Sequence, residues 1–270
     1  MSVPRRPPAL PTAPFLLLVL LLTAPLLLLT GCSSDTAPAA QRQGAAGPNS
    51  DAASVRGGTP DAASPEKDPV RPPREIPVLG PRTRAQIPDE ARQAFVVTGE
   101  GVDSNRSSAM LYSREDPAEG WHPAAGPWEA HNGMAGWTDY HEAGDLRSPT
   151  GVYSLTDAGG RLPDPGALLP YDEDPRFALD GEGFYGEPLE GSFDYVLAIN
   201  YNRLEGVSPL NRTRPLGLER GSGIWIHVDH GGPTQGCVSI PLERMEELLR
   251  TLDPEMNPVI VMGDEATLSR

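Results

Sequence analysis

Cysteine is scarce in this chain, with two in 270 residues. Cys32 closes an apolar leader and Cys237 lies far downstream, so a Cys32 held at a membrane leaves Cys237 without a disulfide partner. A leftover thiol in an often oxidising compartment is either buried or reactive. Positive charge is also short: 22 Lys and Arg stand against 37 Asp and Glu, for a net charge of −15. An acidic surface of that size repels phosphate backbones, which excludes nucleic acid as the expected partner. There are five histidines. His122, His131 and His141 show no metal-ligand spacing with one another or with Cys237, so neither a metal nor another cofactor is expected. No internal repeat is visible.

Residues 1–31 have the pattern of an export signal. Arg5 and Arg6 form a positive start, and Phe15 to Leu29 is almost unbroken Leu, Val and Ala. The run ends in Leu29-Thr30-Gly31-Cys32, which resembles a bacterial lipobox. That resemblance implies cleavage before Cys32 and lipidation of its sulfur, with the acyl chains as anchor. An ordinary signal peptide or an uncleaved anchor is the alternative. Residues 32–90 are rich in Pro, Ala, Ser and Gly and carry hardly a large apolar side chain, too little to offset the entropy of ordering. They read as a disordered tether, of which about 55 residues act as a flexible coil with a reach on the order of 40 Å.

From 91 to 270 the chain reads as one mainly β domain. Short runs such as "AFVVTG" (94–99), "AMLYS" (109–113), "GVYSL" (151–155), "DYVLAINYN" (194–202), "GIWIHV" (223–228), "CVSI" (237–240) and "VIVMG" (259–263) are punctuated by Gly, Pro, Asn and Asp. One helix is expected from Pro241, with Met245, Leu248, Leu249 and Leu252 at helical spacing and Asp253-Pro254 as its stop. Residues 157–192 are full of breakers and read as a long surface excursion or a substrate-facing loop.

The stretch "GIWIHVDHGGPTQGCVSIP" (223–241) carries the chemistry. β alternation places Trp225 and His227 opposite Ile224, Ile226 and Val228. A strand, a tight return and a second strand bring His227 and Cys237 within reach of each other. A thiol is a poor nucleophile until it loses its proton, and an imidazole can take that proton and return it to a leaving amine. Gly236 lets the backbone approach closely, so amides around Gly236 and Cys237 suit an oxyanion, with Thr234 and Gln235 in support. His230, in the glycine-rich loop, is the competing base, and Asp229 a candidate to orient an imidazole. The alternative is a buried, inert cysteine beside a structural histidine.

The same stretch resembles the signature of YkuD-type (ErfK/YbiS/YcfS/YnhG-like) L,D-transpeptidases. In that signature a strand ends in His, and a loop ending in Ser or Thr, a variable residue, Gly and Cys precedes a short strand. His227, Thr234, Gly236 and Cys237 occupy those positions, and "DLRSPTGVYSL" (145–155), "INYN" (199–202) and "PVIVMG" are similar to other parts of the family. The resemblance implies a YkuD-like β-sandwich with a few short helices. It also implies acyl transfer on peptidoglycan stem peptides through a Cys237 thioester with His227 as base, making 3-3 cross-links, or L,D-carboxypeptidase activity if water is the acceptor. Two positions depart from the pattern: Gln235 stands where many members have His, and Ser239 where they have Arg. Arg203, Arg214 or Arg220 is then left to meet a substrate carboxylate, with Tyr201, Asn202, Ser239 and Arg203 as the substrate-binding candidates.

Sortases and papain-like wall peptidases fit less well, because "PTQGC" lacks the sortase pattern and no His follows Cys237. A lipoprotein that binds wall peptides without turning them over is the rival of another class. The expected setting is a monomer, lipid-anchored to the outer face of the cytoplasmic membrane and facing the cell wall.

Overall fold

The computed structural model describes residues 74–270. The leader, Cys32 and the tether up to residue 73 lie outside the described residues. Eleven strands and three short helices follow in order. They are α1 (Pro81–Arg84), β1 (Gln93–Gly99), β2 (Arg106–Ser113), β3 (His122–His131), β4 (Trp137–Thr138), β5 (Ser148–Pro149), β6 (Gly151–Gly160) and β7 (Tyr171–Glu173). Then come β8 (Val196–Ile199), β9 (Trp225–Val228), β10 (Val238–Ile240), α2 (Leu242–Thr251), a 3-10 turn at Pro254–Met256, β11 (Val259–Asp264) and α3 (Glu265–Leu268).

Nine strands form one sheet in the order β11-β1-β2-β3-β10-β9-β8-β6-β7, and β11 also pairs with β6. The second pairing closes the sheet on itself and covers the outer edge of β11, leaving β7 and part of β3 with an unpaired edge. The mainly β reading holds, and closure into a barrel-like sheet is the form it takes.

The apolar run "AFVV" explains how β1 sits. Phe95 and Val97 face the interior with Leu111, Leu155, Leu197, Ile226, Ile240 and Met262, while Ala94 and Val96 face outward into a second cluster with Val259, Val261 and Leu268. Ile76, Leu79 and Ala91 complete that outer cluster, and Ile76 and Leu79 are buried. The folded domain therefore begins by residue 74, not at 91. Residues 74–90, assigned to the tether on composition, cover the outer face of β1 and β11. A strand apolar on both sides is the signal that something must cover its second face.

The helix expected from Pro241 is α2. It buries Met245, Leu248 and Leu249 against the interior cluster, and Leu252 caps the contact. Strand β3, "HPAAGPWEAH", was not legible, because two prolines argue against a strand. It pairs along its length with β2 but meets β10 only at Ser239↔His131. Pro123 and Pro127 thus lie where the second edge needs no donor.

β9 and β10 are parallel, with Ile226 opposite Val238 and His227 opposite Ser239. The sequence suggested a simple strand, return and strand. Instead the nine residues 229–237 carry the chain back to the starting end of β9. So short a parallel connection closes because the strands are only four and three residues long, a return of about 13 Å at 3.3 Å per residue.

Candidate active site

The return loop, β9 and the segment before it form one wall of a cavity of about 480 Å³. His227, His230, Thr234, Gln235, Gly236 and Cys237 all line it. The rest of the lining comes from 179–193, through Leu179, Phe184, Leu189 and Phe193, and from Arg214. The region 157–192 is therefore split. Its first part belongs to β6 and β7, and its second part is a wall of the cavity.

His227 is 3% exposed and held on three sides. Its ring meets the edge of Phe193 at 5.3 Å and stacks on His230 at 5.8 Å, within 9° of parallel. Nδ1 lies 2.9 Å from the Val228 carbonyl. A carbonyl only accepts, so Nδ1 carries the proton and Nε2 keeps its lone pair. Burial, with lesser help from His230, pulls the His227 pKa down to about 4 against the opposing pull of the Val228 bond. The imidazole is neutral at pH 7, which is the form a base requires. The orienting group is the Val228 carbonyl and not Asp229. Asp229 accepts from Ser239 Oγ at 2.7 Å and meets His131 Nδ1 at 2.8 Å. Those contacts outweigh burial and take its carboxyl down to about 2.

Cys237 is free and half-buried. Its Sγ receives the Trp225 amide at 3.4 Å and points its own hydrogen at the Gly223 carbonyl, 3.5 Å away. Burial pushes the thiol up to about 11, with the Trp225 bond working the other way. The resting pair is therefore a neutral thiol and a neutral imidazole in one cavity, not a thiolate-imidazolium pair. The thiol's partners in this state are Trp225 and Gly223, so it must turn from Gly223 before His227 can take its proton.

The turn that carries Cys237 is braced from behind. Thr234 Oγ1 donates to the Cys237 carbonyl at 2.7 Å and accepts the Gly236 amide at 3.1 Å. Ser148 Oγ reaches the same carbonyl at 3.3 Å and accepts the Gly133 amide at 2.9 Å. Ser148 belongs to the "DLRSPTGVYSL" element, which therefore sits directly behind the cysteine. Gly236 has φ of +147°, and a Cβ there would meet the Arg147 carbonyl at 3.0 Å, so the turn needs glycine. Gln235 is exposed on the cavity rim.

The four substrate-binding candidates do not reach the cavity. Arg203 is buried, donating to Asp157 at 2.8 Å, to the Val207 carbonyl at 2.6 Å and to Asn200. Ser239 is fully buried on Asp229. Tyr201 OH donates to the Arg220 carbonyl at 2.9 Å, while Asn202 donates to Gly217 and Gly221 and accepts the Leu216 amide at 2.7 Å. A short motif shows residue type and not direction, so the sequence alone does not reveal that these side chains turn inward. Tyr201 and Asn202 instead shape the 214–223 loop that brings Arg214 and Gly221–Gly223 to the cavity. Arg220 stacks on Tyr140 at 3.7 Å.

Sequence reasoning missed Glu187. Its carboxylate lies 3.2 Å from His230 Nδ1 and packs where a Cβ on Gly183 or Gly232 would fall. It ties the 181–192 segment to the return loop through the imidazole stacked on His227. No local pattern in "GEPLEG" announces that pairing.

A family model for the L,D-transpeptidase catalytic domain, YkuD, matches residues 96–261. The chain belongs to the YkuD family. No curated protein and no solved structure matches it. The matched span of this YkuD chain runs from within β1 to within β11, and it includes strands β2 to β10 and every residue of the cavity. The segment 74–92 lies outside the match, although it covers the outer face of the sheet.

Proposed function

We propose that this YkuD domain is a cysteine-dependent acyl transferase that forms 3-3 cross-links between peptidoglycan stem peptides. The observation that carries the reading is the shared cavity, in which His227 is fixed with its Nε2 lone pair free beside an unpaired thiol. Sγ of Cys237 attacks the carbonyl of the L-centre of the third-position diamino acid as Nε2 of His227 takes the thiol proton. Backbone amides of the Gly236–Cys237 turn hold the oxyanion, the Gly236 amide exchanging Thr234 Oγ1 for it. Collapse breaks the peptide bond, and Nε2 returns the proton to the nitrogen of the departing D-alanine, leaving a thioester. The amine of a second stem peptide then attacks, gives one proton to Nε2 and forms the new amide, and the proton passes back to the sulfur.

The anchor belongs to the same reading. A lipidated Cys32 and the tether after it hold a monomeric domain to the outer face of the membrane, within reach of an immobile mesh. The test is intact-mass spectrometry of residues 74–270 after exposure to a carbapenem. One adduct is expected, absent in Cys237→Ser and slow to form in His227→Ala. A folded protein that binds stem peptide but forms no adduct would overturn acyl transfer in favour of peptide binding. Turnover of a tetrapeptide with and without an acceptor amine separates cross-linking from L,D-carboxypeptidase action.

A further inference from the structure

We propose that Arg214 is the carboxylate-recognising residue of this cavity, taking over from the position after the cysteine that Ser239 occupies; the inference rests on the acyl-transfer reading above. Arg214 is the one Lys or Arg among the residues that line the cavity. Its Nε is buried and has no hydrogen-bond partner, and among the described residues its guanidinium forms no ion pair. Most other arginines around the sheet are committed. Arg203 is locked to Asp157, Arg147 to Asp103, Arg161 to Asp194 and Arg250 to Glu246. In a chain of net charge −15, an arginine left without an acidic partner beside the candidate nucleophile is a departure that calls for an anion.

A buried N–H with no acceptor costs stability unless a ligand supplies one. The guanidinium fork matches a carboxylate, which accepts two parallel N–H bonds and neutralises the charge. The loop that carries Arg214 is held in place for the purpose. Asn202 ties Leu216, Gly217 and Gly221, and Tyr201 ties Arg220, so both ends of the segment are fixed to the end of β8. Ser239 cannot serve, because its hydroxyl is fully buried and spent on Asp229. Recognition thus moves from the cysteine's own strand to the loop that carries Arg214 into the cavity lining. The carboxylate comes either from the C-terminus of the leaving residue or from a side chain of the donor peptide.

The experiment compares five proteins, wild type, Arg214→Gln, Arg214→Lys, Cys237→Ala and the Arg214→Gln/Cys237→Ala double variant, on three tetrapeptides: unmodified, amidated at the C-terminus, and amidated at the side-chain carboxylates. Wild type, Arg214→Gln and Arg214→Lys are assayed for turnover, and the two Cys237→Ala proteins for binding by calorimetry. Loss of one charge-assisted fork is expected to cost about 10- to 100-fold in kcat/KM, mostly in KM, and a like factor in affinity. The loss appears only on peptides that retain the recognised carboxylate, and whichever amidation abolishes the difference identifies the source. Arg214→Lys keeps the charge without the fork and recovers part of the loss. Alkylation of Cys237 by neutral iodoacetamide stays at the wild-type rate in Arg214→Gln, which reports an intact fold.

Normal turnover with an equal effect of Arg214→Gln on all three peptides overturns the proposal and leaves the acyl-transfer reading standing. No turnover by wild type, with carboxylate-dependent binding through Arg214 in the Cys237→Ala background, upholds the proposal and overturns acyl transfer. Neither turnover nor carboxylate-dependent binding overturns both.

Discussion

Titrating Cys237 with a small neutral alkylating reagent reads the resting state of the His227–Cys237 pair directly. Burial raises the thiol from 9.0 to about 11. The shift leaves about 100-fold less thiolate at pH 7. A more basic thiolate is intrinsically more reactive, and a Brønsted slope of 0.4–0.5 returns about 6- to 10-fold of that loss. Iodoacetamide is therefore expected to modify Cys237 about 10-fold more slowly than a free cysteine at pH 7. The rate climbs about 100-fold between pH 7 and pH 9, with no plateau below pH 10. Acylation by a β-lactam or stem peptide follows a different profile, because there His227 removes the proton during attack. With His227 at about 4, the base is unprotonated throughout, and acylation is flat from pH 5 to pH 9. The assay is stopped-time mass spectrometry with both reagents on the same protein. An alkylation plateau at pH 6–7 would reveal a preformed thiolate-imidazolium pair and refute the neutral resting state, and with it the proton transfer assigned to His227.

Three further outcomes are expected. His227 has a folded pKa of about 4 against 6.5 unfolded, so the unfolded chain takes up its proton first. The wild type thus loses about 3 kcal/mol relative to His227→Gln as the pH falls from 6.5 to 4, read from urea midpoints at the two pH values. A parallel pH dependence in both proteins would show that His227 is not buried neutral. Arg203→Met leaves Asp157 buried and uncompensated, with side chains 4% and 5% exposed in the wild type. It is expected to cost about 3–5 kcal/mol of stability, and a stable variant with a raised KM would return Arg203 to the substrate. Ser239→Ala removes one bond to an ionised Asp229, for about 1.5–3 kcal/mol of stability with KM unchanged. A KM effect without destabilisation would contradict its place behind the cavity.

The strands, α2 and the placement of His227 and Cys237 in one site were legible because each rests on local pattern. Alternation over "GIWIHV", the helical spacing of Met245, Leu248 and Leu249, and the glycine before the cysteine are all readable within a few residues. What failed was direction and distance. Arg203, Tyr201 and Asn202 lie in the right motif, yet each turns its polar group into a loop or an ion pair that sequence separation conceals. Glu187 reaches His230 across more than forty residues. Composition misjudged 74–90 because two side chains, Ile76 and Leu79, suffice to fix the segment where β1 offers an apolar outer face. The parallel pairing of β9 and β10 was hidden because a nine-residue return looks the same in sequence whether the next strand runs up or down.

That parallel pairing fixes backbone spacing and leaves orientation to the loops. The backbones that carry the imidazole and the thiol are set by the register of two adjoining strands, Ile226 against Val238. The side chains are held from elsewhere: Phe193 meets the His227 ring and the Gly223 carbonyl meets the Cys237 thiol. The segments 179–193 and 214–223 therefore line the cavity and steady the pair at the same time. On the acyl-transfer reading, exchanging those loops to admit a new substrate also resets the two side chains, so selectivity and reactivity change together in this fold.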